Sequence, residues 1–172
     1  EATPRGRFVS SAVNGLIGDR LVQERPRLAI AMGVRHDGRD VALERDALAT
    51  VFPHATERLV VFLHGLCETE SYWNKGRAVH GTTYGEMLSE RGWTPVFLRV
   101  NTGLGLRANG VELAALMQRL VDEWPVEVGR ISLVGHSMGG LIIRAARAGA
   151  HAVEPRWTDL VSDVVTLGTP HL

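Results

Sequence analysis

Apolar residues along this chain follow two different periodicities. Four short runs are largely apolar, and we interpret them as strands that are covered on both faces of a sheet; they span 59–63, 95–100, 131–134 and 161–167. Between these runs, apolar residues recur at helical spacing over 82–91, 110–124 and 138–149. Alternating buried strands and helices indicate βαβ crossovers, which build a parallel sheet with helices on both faces. The pattern predicts an α/β fold with a doubly wound, mostly parallel sheet.

The first third of the chain shows other patterns. Apolar residues at near-helical spacing predict an amphipathic helix over about 7–24, an accessory element within about 1–26. We expect it to pack on the body of the domain; a cap over a substrate site and a peripheral membrane contact are the alternatives. Strands at 28–34 and 41–43 flank an Asp-Gly pair and predict an antiparallel hairpin at one edge of the sheet. A short helix is predicted near 46–52, ending at Pro53.

Composition limits the classes of partner. The 172 residues are 45% apolar and 22% charged, which is typical of a globular chain, and we expect a single domain over 1–172. The chain ends directly after a strand and a turn, so we expect the fold to be incomplete after the strand near 161–167. Nineteen basic and nineteen acidic side chains cancel, which gives no electrostatic reason to expect a nucleic-acid partner.

Cysteine usage and hydropathy bear on the compartment. Cys67 is the only cysteine, so no internal disulfide can form, and this fits a reducing compartment. No run of residues approaches the ~20 apolar residues of a membrane span. We therefore expect a cytoplasmic location and no transmembrane segment.

A Gly-x-Ser-x-Gly motif carries the main chemical signal, and it reads Gly135-His136-Ser137-Met138-Gly139. An apolar strand precedes it and a helix follows, the context that separates a nucleophile elbow from a chance match. The two glycines remove Cβ atoms that would collide where strand and helix pass close together. We expect Ser137 to adopt a sparsely populated backbone conformation that exposes its hydroxyl. The alternative is a glycine-rich loop with an incidental serine.

A serine hydroxyl needs a base, and the oxyanion of a tetrahedral intermediate needs hydrogen-bond donors. Ligands of open parallel sheets bind at the carboxyl ends of the strands, where Ser137 and the turn after Leu63 are both predicted. We expect the backbone N–H of Met138, at a helix start, and that of Leu66 to be the donors. For His64-Gly65 itself, a tight turn with a satisfied histidine is the alternative interpretation.

Three motifs together resemble the α/β-hydrolase superfamily: Leu-His-Gly-Leu at 63–66, Gly-His-Ser-Met-Gly-Gly at 135–140, and Leu-Gly-Thr-Pro-His at 167–171. The likeness covers roughly residues 58–172. It is closest to the lipases and lipase-like esterases, including the branch similar to bacterial triacylglycerol lipases and GPI-inositol deacylases. The resemblance implies a serine hydrolase that cleaves small-molecule or lipid esters through an acyl-enzyme on Ser137, without a cofactor. A noncatalytic binding or scaffold protein, and an acyltransferase that uses the same nucleophile, are the alternatives.

The resemblance also implies a catalytic acid and histidine later in the chain than the serine, on loops that follow further strands. His136 lies inside the elbow and should point away from the hydroxyl beside it. His171 is the one candidate base at the correct end of a strand, although in similar proteins this histidine supports its loop. We therefore expect the segment alone to be inactive.

Residues after the predicted oxyanion turn are candidates for the mouth of a pocket. Glu68, Tyr72 and Trp73 could line it, and the two aromatic rings would suit an apolar acyl group. Packing of the loop is an equal alternative for Trp73. No His partner stands at metal-ligand spacing from Glu68 or Glu70, so we expect no metal site.

Overall fold

The computed structural model describes residues 31–149 and 156–171. The helix predicted over 7–24 and the first residues of the strand predicted over 28–34 lie outside the described residues. The strands are β1 (Gly33–His36), β2 (Arg39–Val41), β3 (Arg58–Leu63), β4 (Thr94–Arg99), β5 (Arg130–His136) and β6 (Val161–Leu167).

These strands form one six-stranded sheet in the order β2-β1-β4-β3-β5-β6. Strands β4, β3, β5 and β6 are parallel, whereas β1 is antiparallel to both β2 and β4. The predicted α/β fold with an antiparallel edge hairpin is therefore confirmed. At the hairpin turn, Asp37 and Gly38 have φ of 47° and 74°, as a two-residue type I′ connection requires.

The helices are α1 (Arg45–Val51), a 3-10 helix (Glu70–Asn74), α2 (Arg77–His80), α3 (Tyr84–Ser89), α4 (Leu106–Glu123), α5 (Met138–Gly149) and α6 (Arg156–Asp159). Helix α4 begins four residues before the predicted 110–124, and α3 is shorter than the predicted 82–91. The 3-10 helix, α2 and α6 were not predicted. Each of them has only four or five residues, too few to show a periodicity.

Side chains of β3 alternate between two apolar clusters on opposite faces of the sheet. Leu59, Val61 and Leu63 belong to the larger cluster, together with residues of α1, α4 and α5. Val60 and Phe62 belong to the smaller one, with Trp73 of the 3-10 helix and Leu88 of α3. Helices thus cover both faces, as the apolar runs predicted.

Strand β6 differs from its prediction. Its residues are intermediate or exposed, and Val165 is 44% exposed, so in the described structure this strand is not covered on both faces. The reason is its place in the sheet, because β6 is the edge strand and pairs only with β5 among the described strands. Ser162, Asp163 and Thr166 interrupt its apolar residues, unlike the unbroken run of β3.

The connections leave β3 and β5 in opposite directions across the sheet. From β3 the chain continues to β4 on one side, and from β5 it continues to β6 on the other. Ligands of open α/β sheets bind in the crevice at such a point, outside the carboxyl ends of the strands. Because Leu63 pairs with Gly135, the segments that follow β3 and β5 lie side by side.

Candidate active site

Ser137 occupies the turn between β5 and α5. Strand β5 ends at His136 and α5 begins at Met138, so one residue makes the whole connection. Its φ is 49°, in the left-handed region that residues with a side chain rarely adopt. The predicted backbone conformation of Ser137 is therefore confirmed, and its chemical role stays a prediction.

Two glycines allow strand and helix to approach each other at this turn. A Cβ atom on Gly139 would lie 2.6 Å from the carbonyl oxygen of Leu63. A Cβ atom on Gly135 would lie 2.6 Å from the backbone nitrogen of Gly140. Both obstructing atoms belong to the backbone, so no side-chain rotation could make room. The predicted reason for these glycines is confirmed.

The segment after β6 holds the backbone of the same turn. The Ser137 N–H donates to the carbonyl oxygen of Leu167 at 2.8 Å. The Thr169 hydroxyl donates to the carbonyl oxygen of Ser137 at 2.9 Å. Residues of the Gly-Thr-Pro-His motif therefore support the Ser137 turn directly.

His64 is fully buried at the end of β3. Its Nε2 accepts a hydrogen bond from the Val100 N–H at 3.0 Å, so the proton is on Nδ1, which donates to the carbonyl oxygen of Gly65 at 3.0 Å. Desolvation lowers the pKa of His64, because burial disfavours the charged imidazolium. His64 is thus a satisfied neutral histidine that joins the loop after β3 to the end of β4, and it is not a base.

The loop after β3 lies against the Ser137 turn. A Cβ atom on Gly65 would lie 3.1 Å from the Cβ atom of Ser137. The backbone N–H groups of Leu66 and Met138, the predicted oxyanion donors, donate to no acceptor within residues 31–149 and 156–171. Their role as oxyanion donors stays a prediction.

Glu68, Tyr72 and Trp73, the predicted pocket residues, lie on one side of this loop. Oε2 of Glu68 is 2.9 Å from Nδ1 of His136, and the His136 ring stacks on Tyr72 with centroids 4.1 Å apart. Trp73 is 3% exposed and packs on Phe62, with ring centroids 4.9 Å apart. His136 is thus held by Glu68 and Tyr72, which the sequence reasoning missed because no local pattern pairs residues so far apart.

A cavity of about 340 Å³ borders the 3-10 helix. Tyr72 and Trp73 line it from the 3-10 helix, and Tyr84 and Met87 of α3 line it from the other side. Trp73 therefore packs the loop onto the sheet and also forms part of the wall of this cavity, and its place at the mouth of a substrate pocket stays a prediction.

Both ring nitrogens of His171, the candidate base, are occupied. Nδ1 accepts a hydrogen bond from the Arg144 guanidinium at 2.9 Å, so Nε2 carries the proton and faces the Thr166 hydroxyl at 3.2 Å. These contacts fit the supporting role, and we do not propose His171 as the base.

Within residues 31–149 and 156–171, no group of three or more His, Cys, Asp or Glu side chains could hold a metal ion. No helix in that part of the chain is long and apolar enough to cross a membrane.

Sheet order and crossovers are those of an α/β-hydrolase, and the family match and the lipase similarity given next support the lipase-like esterase type. Residues 53–172 match the family described as "Putative serine esterase (DUF676)", and the chain belongs to this family. It is similar to the crystal structure of the Bacillus licheniformis lipase BlEst2 in its mature form, with 25% identity and a TM-score of 0.52 over 66% of this chain. The matched region is 41% of the lipase chain.

Two epoxide hydrolases show a more distant similarity. One is a laboratory-evolved variant of potato epoxide hydrolase StEH1, with 18% identity and a TM-score of 0.42 over 65% of this chain and 33% of that one. The other is a Vigna radiata epoxide hydrolase mutant, with 21% identity and a TM-score of 0.45 over 68% of this chain and 34% of that one.

Proposed function

We propose that this protein is a serine hydrolase that cleaves carboxylic esters through an acyl-enzyme on Ser137. The observation that carries the proposal is the positive φ of Ser137 at a strand-to-helix turn, next to two backbone amides that have no acceptor in the described structure. Membership of the esterase family and similarity to a lipase support the same reaction class.

The proposed reaction has two halves. Oγ of Ser137 attacks the ester carbonyl while its proton passes to a general base, and the negative charge that develops on the carbonyl oxygen is stabilised by the N–H groups of Leu66 and Met138. Collapse of this intermediate breaks the bond to the alcohol, which leaves with the proton. Water then attacks the acyl-enzyme by the same route and releases the acid. No cofactor enters these steps.

The proposal assigns the general base to a histidine outside the described residues, oriented by a carboxylate. Both ring nitrogens of His64 and of His171 already have partners. The family resemblance implies an acid and a histidine after the serine in chain order, so we expect activity of the full-length protein.

The cavity beside the 3-10 helix is our candidate for the apolar part of the ester. Tyr72 links this cavity to the proposed site, because its ring lines the cavity and also stacks on His136, the residue before Ser137. About 340 Å³ is within the size range of small-molecule sites. A lipid ester or another ester with an apolar acyl group fits an aromatic wall of this kind.

Covalent labelling of the full-length protein by a fluorophosphonate probe tests the proposal. We expect the wild type to be labelled and to hydrolyse p-nitrophenyl esters, and Ser137→Ala to lose labelling and at least ~10³-fold in kcat. Ser89→Ala, an exposed serine at the end of α3, is the matched control and should behave as the wild type. Equal labelling of Ser137→Ala and the wild type, or an unlabelled wild type, would contradict the assignment.

A further inference from the structure

We propose that Glu68 is a positioning residue that holds together the two segments from which the oxyanion donors come. This inference rests on the proposed function and goes beyond the assignment of Ser137, Leu66 and Met138. The inference depends on two contacts of one Glu68 oxygen atom. Oε2 accepts a hydrogen bond from the Gly65 N–H at 2.9 Å and lies 2.9 Å from Nδ1 of His136. The first contact holds the loop after β3, and the second holds the residue before Ser137.

The peptide that contains the Leu66 N–H is held through its other end. The carbonyl oxygen of Gly65 accepts hydrogen bonds from Nδ1 of His64 at 3.0 Å and from the Glu68 N–H at 3.3 Å. In a trans peptide the carbonyl and the following N–H point in opposite directions. Fixing the Gly65 carbonyl therefore directs the Leu66 N–H, while the Glu68 carboxylate fixes the peptide on the other side of Gly65.

The Ser137 turn is held from the His136 side. The His136 ring lies between the Glu68 carboxylate and the face of Tyr72, at an interplanar angle of 16°. His136 precedes Ser137, and Met138 follows it, so fixing this ring restricts the turn that supplies the second donor. A preorganised pair of donors stabilises an oxyanion without rearranging during the reaction.

Glu68 and His136 pack closely against the backbone of Gly65. A Cβ atom on Gly65 would lie 3.0 Å from Oε2 of Glu68 and 3.0 Å from Nδ1 of His136. The absence of a side chain at residue 65 lets carboxylate, imidazole and backbone meet. Glu68 and His136 are each mostly buried, with side chains 20% and 25% exposed, so water competes little for these bonds.

The kinetic test compares Glu68→Ala with Glu68→Gln in the full-length protein. Alanine removes both contacts of Oε2, whereas the glutamine amide oxygen can accept both in its place. We expect Glu68→Ala to lower kcat about 10²-fold with little change in KM, and to weaken binding of a trifluoromethyl ketone inhibitor by the same factor. In Glu68→Gln, kcat and inhibitor binding should both stay close to the wild-type values. Glu90→Ala, an exposed glutamate at the end of α3, is the matched control.

Two kinetic results would overturn the inference. A rise in KM with kcat unchanged would make Glu68 a substrate contact rather than a positioning residue. A Glu68→Gln variant as slow as Glu68→Ala would show that the charge matters and the accepted hydrogen bonds do not.

Amide hydrogen exchange gives an answer that does not depend on activity. We expect exchange of the Gly65 N–H, followed by NMR, to accelerate about tenfold or more in Glu68→Ala and to stay near the wild-type rate in Glu68→Gln. Unchanged Gly65 exchange in Glu68→Ala would overturn the inference even in an active enzyme. If the wild type neither labels nor hydrolyses esters, the proposed function fails, and the exchange rates still decide whether Glu68 holds the two segments.

Discussion

The Ser137 turn and the loop after β3 lie side by side but are stabilised in different ways. The turn is shaped by backbone contacts, since Gly135 and Gly139 bring the chain within van der Waals distance of itself and of β3. The loop after β3 is shaped by side-chain hydrogen bonds that join it to distant segments. The His64 ring accepts a hydrogen bond from the Val100 N–H, and the Glu68 carboxylate contacts the His136 ring. The Thr102 hydroxyl accepts a hydrogen bond from the Cys67 N–H at 3.1 Å.

The two segments therefore differ in how far apart in the sequence the residues that shape them lie. The glycines of the turn lie two residues on either side of Ser137, so a five-residue motif supplies the close backbone approach that shapes it. The bonds of the loop join residues 35 to 68 positions apart. We infer that the turn tolerates almost no change in its glycines, whereas the loop can be loosened in steps by removing one bond at a time.

We expect the largest loss of folding stability from a substitution at Gly139. In Gly139→Ala the new methyl group would meet the carbonyl oxygen of Leu63 at 2.6 Å, and a backbone segment would have to move. We expect the free energy of unfolding to fall by about 3 kcal/mol, measured by urea denaturation.

Gly149→Ala is the matched control, because it lies in the same helix and a Cβ atom there would meet nothing within 4 Å. Alanine at this exposed helix end should leave stability unchanged or raise it by up to ~1 kcal/mol. A Gly139→Ala variant as stable as the wild type would show that backbone contacts do not shape the turn.

We expect a smaller loss of folding stability from a substitution at His64. Leucine in its place would leave the Val100 N–H without its buried acceptor and the Gly65 carbonyl with only the Glu68 N–H. We expect His64→Leu to lower the free energy of unfolding by about 2 kcal/mol, because buried polar groups without partners are costly. His54→Leu, at an exposed histidine, should change it by less than ~0.5 kcal/mol. Equal effects of the two substitutions would rule out a specific role of the His64 bonds.

The same histidine makes stability depend on pH. Burial lowers the pKa of His64 below its ordinary value of 6.5, so between the two pKa values the unfolded chain binds a proton that the folded chain does not. The free energy of unfolding should therefore decrease as the pH falls below about 6.5, by at most ~1.4 kcal/mol per pH unit from this group. His64→Leu should lack this component, and an identical pH profile in the variant would contradict the assignment.

Local patterns explain what the sequence could predict. The central strands and the Ser137 turn were found where the pattern placed them. The hairpin turn was found at Asp37-Gly38, but its strands, Gly33–His36 and Arg39–Val41, lie closer to the turn than the predicted 28–34 and 41–43.

The exposure of β6 was missed because the polar residues Ser162, Asp163 and Thr166 within this strand were given no weight, and because an apolar pattern does not show a strand's position in the sheet. The pairing of Glu68 with His136 was missed for a similar reason, since only the assembled sheet brings these residues together.

The smallest effect in the loop is expected at Thr102. Thr102→Val keeps the shape of a side chain that is 5% exposed but removes the hydroxyl that accepts from the Cys67 N–H. Cys67 has φ of 57°, so this bond helps to hold a residue in a strained conformation. We expect a loss of about 1 kcal/mol in the free energy of unfolding, with most of it restored in Thr102→Ser, which keeps the hydroxyl. If the serine variant is no more stable than the valine variant, the loop depends on the packing of Thr102 and not on its hydrogen bond, and the contrast with the Ser137 turn weakens accordingly.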